Sequence, residues 1–102
     1  NVAKADVVIT NPTHFAVAVL YDKEVMQGPM VTAKGQDLLA QRIKEVAREN
    51  DVPMVENRPL ARALYAEAEI GDIIPEEYYR ALSLVFAEVY TLNNKKREFY
   101  RR

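Results

Sequence analysis

The chain has 102 residues, no cysteine, one histidine, and 14 Lys and Arg against 15 Asp and Glu. That length supports one small domain with a single core, which the 49% hydrophobic residues can fill. The balanced charge excludes a general attraction to nucleic acid or anionic lipid, and the lack of cysteine excludes disulfides and a thiolate zinc site and fits a reducing compartment.

Val7–Thr10 reads as a short buried strand and Phe15–Tyr21 as a longer one rich in β-favouring residues. Asp22 to Pro29 is polar and ends in Gly28-Pro29, a loop signal. Met30–Ala33 predicts a third strand that Lys34-Gly35 ends. Gln36 to Asn50 has helical spacing, with Leu39, Ile43, Val46 and Ala47 on one face and Asn50-Asp51 as the stop. Val52–Val55 supplies a fourth strand, so the order strand, helix, strand predicts a βαβ unit with a right-handed crossover.

Asn57-Arg58-Pro59 opens a second helix with proline in its first turn. Leu60 and Leu64, with Ala63 and Ala68, form its apolar face. Ile70–Ile74 connects to a third helix that starts at Pro75-Glu76-Glu77, where the helix dipole favours acids. It runs to about Leu92, buries Tyr78, Leu82, Val85, Phe86 and Val89, and ends at Asn93-Asn94. The basic segment Lys95 to Arg102 reads as a solvated terminus. No apolar stretch reaches the roughly 20 residues that cross a bilayer, and no signal-peptide pattern opens the chain. It begins without methionine and enters a strand almost at once, as a piece of a longer protein would.

Between the first two strands stands Asn11-Pro12-Thr13-His14. Asn-X sequences ordinarily deamidate through the backbone nitrogen of X, but proline has no N–H, which closes that route. What remains is attack by the Asn11 side-chain amide nitrogen on its own backbone carbonyl carbon. A succinimide forms and the Asn11–Pro12 bond breaks. An amide is a poor nucleophile, so the fold must hold it in place, and donors must meet the developing oxyanion. Thr13, His14 and the turn's N–H groups stand next in line. The same tetrapeptide is equally ordinary turn chemistry, with proline fixing φ.

Other groups read as structural. His14 is the sole histidine, which leaves no His-rich metal site. Glu67 with Glu69, and Glu76 with Glu77, are adjacent carboxylates on solvated helix faces. The tyrosines fall at packing positions, which argues against an aromatic platform for single-stranded nucleic acid. Gly28, Gly35 and Gly71 are scattered and form no phosphate loop. No cofactor is implied, and nothing resembles a site for repeated turnover.

Asn11-Pro12-Thr13-His14 after Ala5-Asp6-Val7-Val8-Ile9-Thr10 resembles the cytoplasmic domain of the FlhB/YscU family, the self-cleaving switch proteins of type III secretion. The likeness continues through Val31 to Ala47, Val52 to Tyr65 and Ala68 to Leu82, and so spans nearly the whole chain. The Ala33-Lys34-Gly35 and Glu69-Ile70-Gly71 segments are similar to the flagellar branch. The resemblance implies an α/β fold, a small four-stranded mixed sheet surrounded by helices, with the cleavage loop between the first two strands. It implies one cytoplasmic domain whose cut yields fragments 1–11 and 12–102, on the cytoplasmic face of the bacterial inner membrane and attached in the full-length protein to a membrane domain outside this chain. Asn11 maps onto the nucleophile and Pro12 onto the new N-terminus, with His14 influencing rate and Thr13 shaping the turn. This is one intramolecular event per molecule and not enzymatic turnover.

The implied role is to switch export from rod and hook substrates to filament substrates. The implied partners are other export-apparatus proteins, a hook-length control protein and the exported chains. The family further suggests an apolar docking patch, which here falls on Gly28, Pro29, Ser83 and Phe86 and is made less apolar by its glycine and serine. The alternative is an interaction module of a flagellar or injectisome system whose turn is never cut. An enzyme using His14 as base lacks a partner nucleophile.

Overall fold

The structure, a computed structural model, describes the backbone of residues 1–101 and the side chains of residues 1–95. Its elements are β1 (Val7–Asn11), β2 (Phe15–Leu20), β3 (Met30–Gln36), α1 (Asp37–Glu49), β4 (Met54–Glu56), α2 (Arg58–Glu67) and α3 (Tyr79–Arg101), with a short 3-10 turn over Glu76–Tyr78. The four strands form one mixed sheet in the order β3-β2-β1-β4. The β1–β2 and β2–β3 pairs are antiparallel and β1–β4 is parallel.

Strand alternation sorts the core into two layers. Val7, Ile9, Val17 and Val19 face α2 and α3, where they meet Leu60, Leu64, Leu82 and Val85. Val8, Ala16 and Ala18 face α1, where they meet Ala40, Ile43 and Ala47. The second layer is rich in alanine, and that changes the expected helix face. Ala40, Ile43 and Ala47 are buried, whereas Leu39 is 56% exposed and Val46 is half-buried. Small side chains on both surfaces let the backbone of α1 approach the sheet, and the larger leucine is turned aside.

The helix boundaries follow local chemistry. Asn57 Oδ1 accepts the Leu60 N–H at 3.1 Å, and Pro59 sits in the first turn of α2. At the end of α1, Asp51 adopts a left-handed φ of 56°, and the Val52 N–H returns to the Ala47 carbonyl at 2.9 Å. Asn50-Asp51 is therefore the stop that the sequence predicts.

Two elements run well past their expected ends. β3 runs through Lys34-Gly35 to Gln36, because both residues have tertiary partners. Lys34 Nζ donates to the carbonyls of Tyr65 and Ala68 at 3.0 Å each. A Cβ on Gly35 would stand 2.6 Å from Leu39 Cγ, so only glycine fits beneath that side chain. The expected βαβ unit is present, with α1 joining the parallel strands β3 and β4 on opposite edges of the sheet and β2 and β1 between them. Finally, α3 continues through Asn93-Asn94 to Arg101. Asparagine costs at most about 0.7 kcal/mol in a helix interior and does not stop one unaided. The side chains of residues 96–102, and with them the expectation of a solvated basic terminus, lie outside the described residues.

Candidate functional site

β1 is an interior strand, flanked by β2 and β4, and its last residue is Asn11. Asn11 stands opposite Phe15 in the ladder, so Pro12, Thr13 and His14 make the whole connection. The His14 N–H donates to the Asn11 carbonyl oxygen at 3.0 Å. Pro12 at the second position and Thr13 at the third, with a φ of 69°, give the signature of a type II turn. That third position favours glycine, and a left-handed conformation costs an ordinary residue about 1–2 kcal/mol. For a β-branched threonine it is uncommon. Local strain is therefore stored one residue beyond the Asn11–Pro12 bond.

Two further bonds fix the turn in the domain. The His14 carbonyl accepts the Asp37 N–H at 2.9 Å, which ties the turn to the start of α1. The Thr10 carbonyl accepts the Asn57 N–H at 3.0 Å, which ties the end of β1 to the cap of α2. Asn11 and Pro12 are half-buried, and Thr13 and His14 are exposed. The His14 ring lies beside Phe15 with centroids 6.3 Å apart, and Phe15 in turn packs on Tyr65 at 4.8 Å. The arrangement suits cyclisation at Asn11. Proline closes the competing route, and a backbone donor is aimed at the oxygen that would become the oxyanion.

The structure brings Gly28, Pro29, Ser83 and Phe86 together as well. They line one cavity of about 260 Å³ with Tyr21, Gln27, Tyr79 and Leu82. Gly28 leaves room there, because an added Cβ would strike the Tyr79 hydroxyl and lie 2.9 Å from Ile73 Cγ2, so one of them would have to shift. The Pro29 carbonyl accepts the Ile74 N–H at 2.8 Å, which pins the loop. Ser83 Oγ donates to the Arg80 carbonyl at 2.7 Å. Its polarity is spent within α3, and the patch is more apolar than its residue types suggest. Sequence reasoning missed Tyr21 and Tyr79, which share this cavity from the end of β2 and the start of α3.

It also missed a second cavity, of about 560 Å³, where Asn11 and His14 meet Arg58, Pro59, Arg62, Ala63 and Ala66 of α2. Nothing local in the sequence links these residues. Only the pairing of β1 with β4 and the Thr10–Asn57 bond place them together.

Fold and turn together define a small α/β domain with an Asn-Pro junction on an interior strand. The sequence profile of the FlhB HrpN YscU SpaS Family matches residues 1–89. The chain is 54% identical over 94 residues to the flagellar biosynthetic protein FlhB of Bacillus subtilis, covering 92% of this chain and 26% of that protein. It is 52% identical over 92 residues to FlhB of Escherichia coli, covering 90% of this chain and 24% of that protein. Among solved structures, the cytoplasmic domain of FlhB from Shewanella putrefaciens superposes with a TM-score of 0.91 at 41% identity, covering 95% of this chain and 74% of that one. An EscU C-terminal domain variant superposes with a TM-score of 0.83 at 30% identity, covering 87% of this chain and 95% of that one. This chain therefore belongs to the FlhB HrpN YscU SpaS family. It spans about a quarter of the length of the curated relatives it matches.

Proposed function

We propose that this chain is the self-cleaving cytoplasmic domain of a flagellar type III export component, and that it cuts itself once between Asn11 and Pro12. The observation that carries the reading is the His14 N–H held 3.0 Å from the Asn11 carbonyl oxygen, in a turn strained at Thr13. Asn11 Nδ2 bonds to the Asn11 carbonyl carbon, and the bond to Pro12 breaks. The proton lost from Nδ2 passes to the Pro12 nitrogen. The His14 N–H stabilises the tetrahedral oxyanion between these steps.

The cut leaves the domain assembled. Val7, Val8 and Ile9 are fully buried in the centre of the sheet, and each buried side chain contributes about 1.5–3 kcal/mol. What changes is the turn, whose Pro12–His14 end is released from its closed geometry. That surface change supports a switch in export from rod and hook substrates to filament substrates, with a hook-length control protein and other apparatus components as partners. The cavity at Gly28, Pro29, Ser83 and Phe86 supports docking of short apolar segments from exported chains.

Mass spectrometry of freshly purified protein tests the chemistry. Two denatured fragments, 1–11 and 12–102, with one native mass are expected. A whole chain that persists through long incubation at neutral pH would leave an interaction module, with its apolar cavity intact and no cut.

A further inference from the structure

The cavity beside the turn holds two guanidinium-bearing residues, Arg58 and Arg62, together with Asn11 and His14. The arginines are four residues apart on α2, so they share a helix face, a like-charge spacing that destabilises a helix. Arg58 is paired with Glu56 at 3.4 Å, across well-exposed side chains. Arg62 has no ion pair or hydrogen bond among the described residues. The Thr10–Asn57 backbone bond brings Asn11 and Arg58, the next residue on each side, into the same corner. Arginines forced together with one left unpaired, at the mouth of a cavity, favour an anionic occupant.

The chain itself supplies one, on the cleavage reading given above, upon which this inference rests. Once cyclisation has broken the Asn11–Pro12 bond, one water opens the succinimide at either carbonyl. Attack at one carbonyl yields the α-carboxylate of asparagine. Attack at the other yields an aspartyl β-carboxylate with an α-amide. Either way residue 11 gains one carboxylate, and Pro12 gains an amine. We propose that Arg58 and Arg62 form a carboxylate-binding site for cleaved residue 11, which carries no charge in the whole chain and gains its carboxylate with the cut. The site holds β1 at its proper end and keeps the two fragments together after the turn has opened.

A cycle of variants tests this in the intact domain. Arg58→Gln with Arg62→Gln is introduced into two backgrounds, the cut wild type and the uncut Asn11→Ala protein, and unfolding rates in urea are compared. The paired substitution should speed unfolding of the cut protein about fivefold more than that of the uncut protein, the scale of a partly exposed ion pair, since the Glu56 pair and the arginine repulsion are lost from both. The difference should shrink in high salt, and Arg58→Lys with Arg62→Lys should keep most of it. Equal effects in both backgrounds, or no effect in either, would overturn the site while the cleavage reading stands. A wild type that never cuts would overturn both, and the mass spectrum separates that outcome from the others.

Discussion

The backbone N–H of His14 and the carbonyl oxygen of Asn11 are 3.0 Å apart, closing the turn across the bond that the chemistry would break. The same hydrogen bond serves two roles in the proposed cleavage. It holds the turn shut in the whole chain, and it lies where negative charge would grow in the attack by the amide nitrogen. Between the two residues, Thr13 is held at a φ of 69°. Shape, donor and strain are thus concentrated in four residues, and each can be separated by substitution.

Thr13→Gly removes the steric cost of the left-handed conformation and keeps the turn. The whole chain should become about 1 kcal/mol more stable, and if strain promotes the cut, cleavage should slow by up to about fivefold. Thr13→Val retains the β-branch and loses the hydroxyl, so it should cut at close to the wild-type rate. Time courses of denatured mass, begun at refolding, measure both. A valine variant as slow as an inactive one would show that the hydroxyl acts chemically and that strain is incidental.

Asn11→Ala should abolish the cut and leave the fold in place, because Asn11 is half-buried, ends its strand, and its side chain has no hydrogen-bond partner among the described residues. Its melting temperature should stay within a few degrees of the whole wild-type chain. Pro12→Ala should slow the cut, since it restores an N–H and reopens the deamidation route at Asn11. Peptide mapping would then find aspartate at position 11 in an uncut chain. Normal cutting by the purified alanine variant at position 11 would refute the assigned nucleophile.

Much of this was legible in the residues, for local reasons. The continuous apolar run Val7-Val8-Ile9, the Asn50-Asp51 stop and the Asn57-Pro59 start each act within a few residues, and the structure has each where the sequence places it. The turn was legible for the same reason. The misreadings are tertiary. β3 continues past Lys34 because α2 supplies carbonyls for its ammonium group, and Leu39 is turned out because alanines line the facing layer. The arginines beside Asn11 became visible only with the strand order, since β4 and α2 follow β1 by more than forty residues of chain.

Lys34 offers a prediction about stability alone. Its ammonium group is mostly buried and donates to the Tyr65 and Ala68 carbonyls at the C-terminal end of α2, 5.4 Å from the Tyr65 ring centroid. Lys34→Met keeps the length and the apolar stem but leaves both carbonyls without that donor and the helix dipole without a cation. A loss of about 1.5–3 kcal/mol follows from hydrogen bonds to a charged group, or a drop of at least about 6 °C in melting temperature for a domain this size. Cleavage should be unaffected, because the turn is held by His14, Asp37 and Asn57. An unchanged melting temperature would mean that water replaces the lysine at the helix end.

Gly28 gives the test of the apolar cavity. Alanine there would drive a Cβ into the Tyr79 hydroxyl and toward Ile73, so Tyr79 must swing or the loop must lift. Either movement reshapes the cavity between Pro29, Ser83 and Phe86. Gly28→Ala should therefore weaken binding of short apolar export-signal peptides about tenfold or more, at a stability cost of about 1–3 kcal/mol from overpacking. Titration calorimetry against such a peptide reads the binding, and urea unfolding reads the cost. Phe86→Ala provides the opposite change, enlarging the cavity instead of filling it. If both variants bind like wild type while remaining folded, the docking role of this cavity is wrong. If the glycine variant fails and the cut still proceeds at its normal rate, docking and cleavage are separate properties of one domain. That independence is expected, because the cavity lies at the β2–β3 loop and α3, and the turn joins β1 to β2.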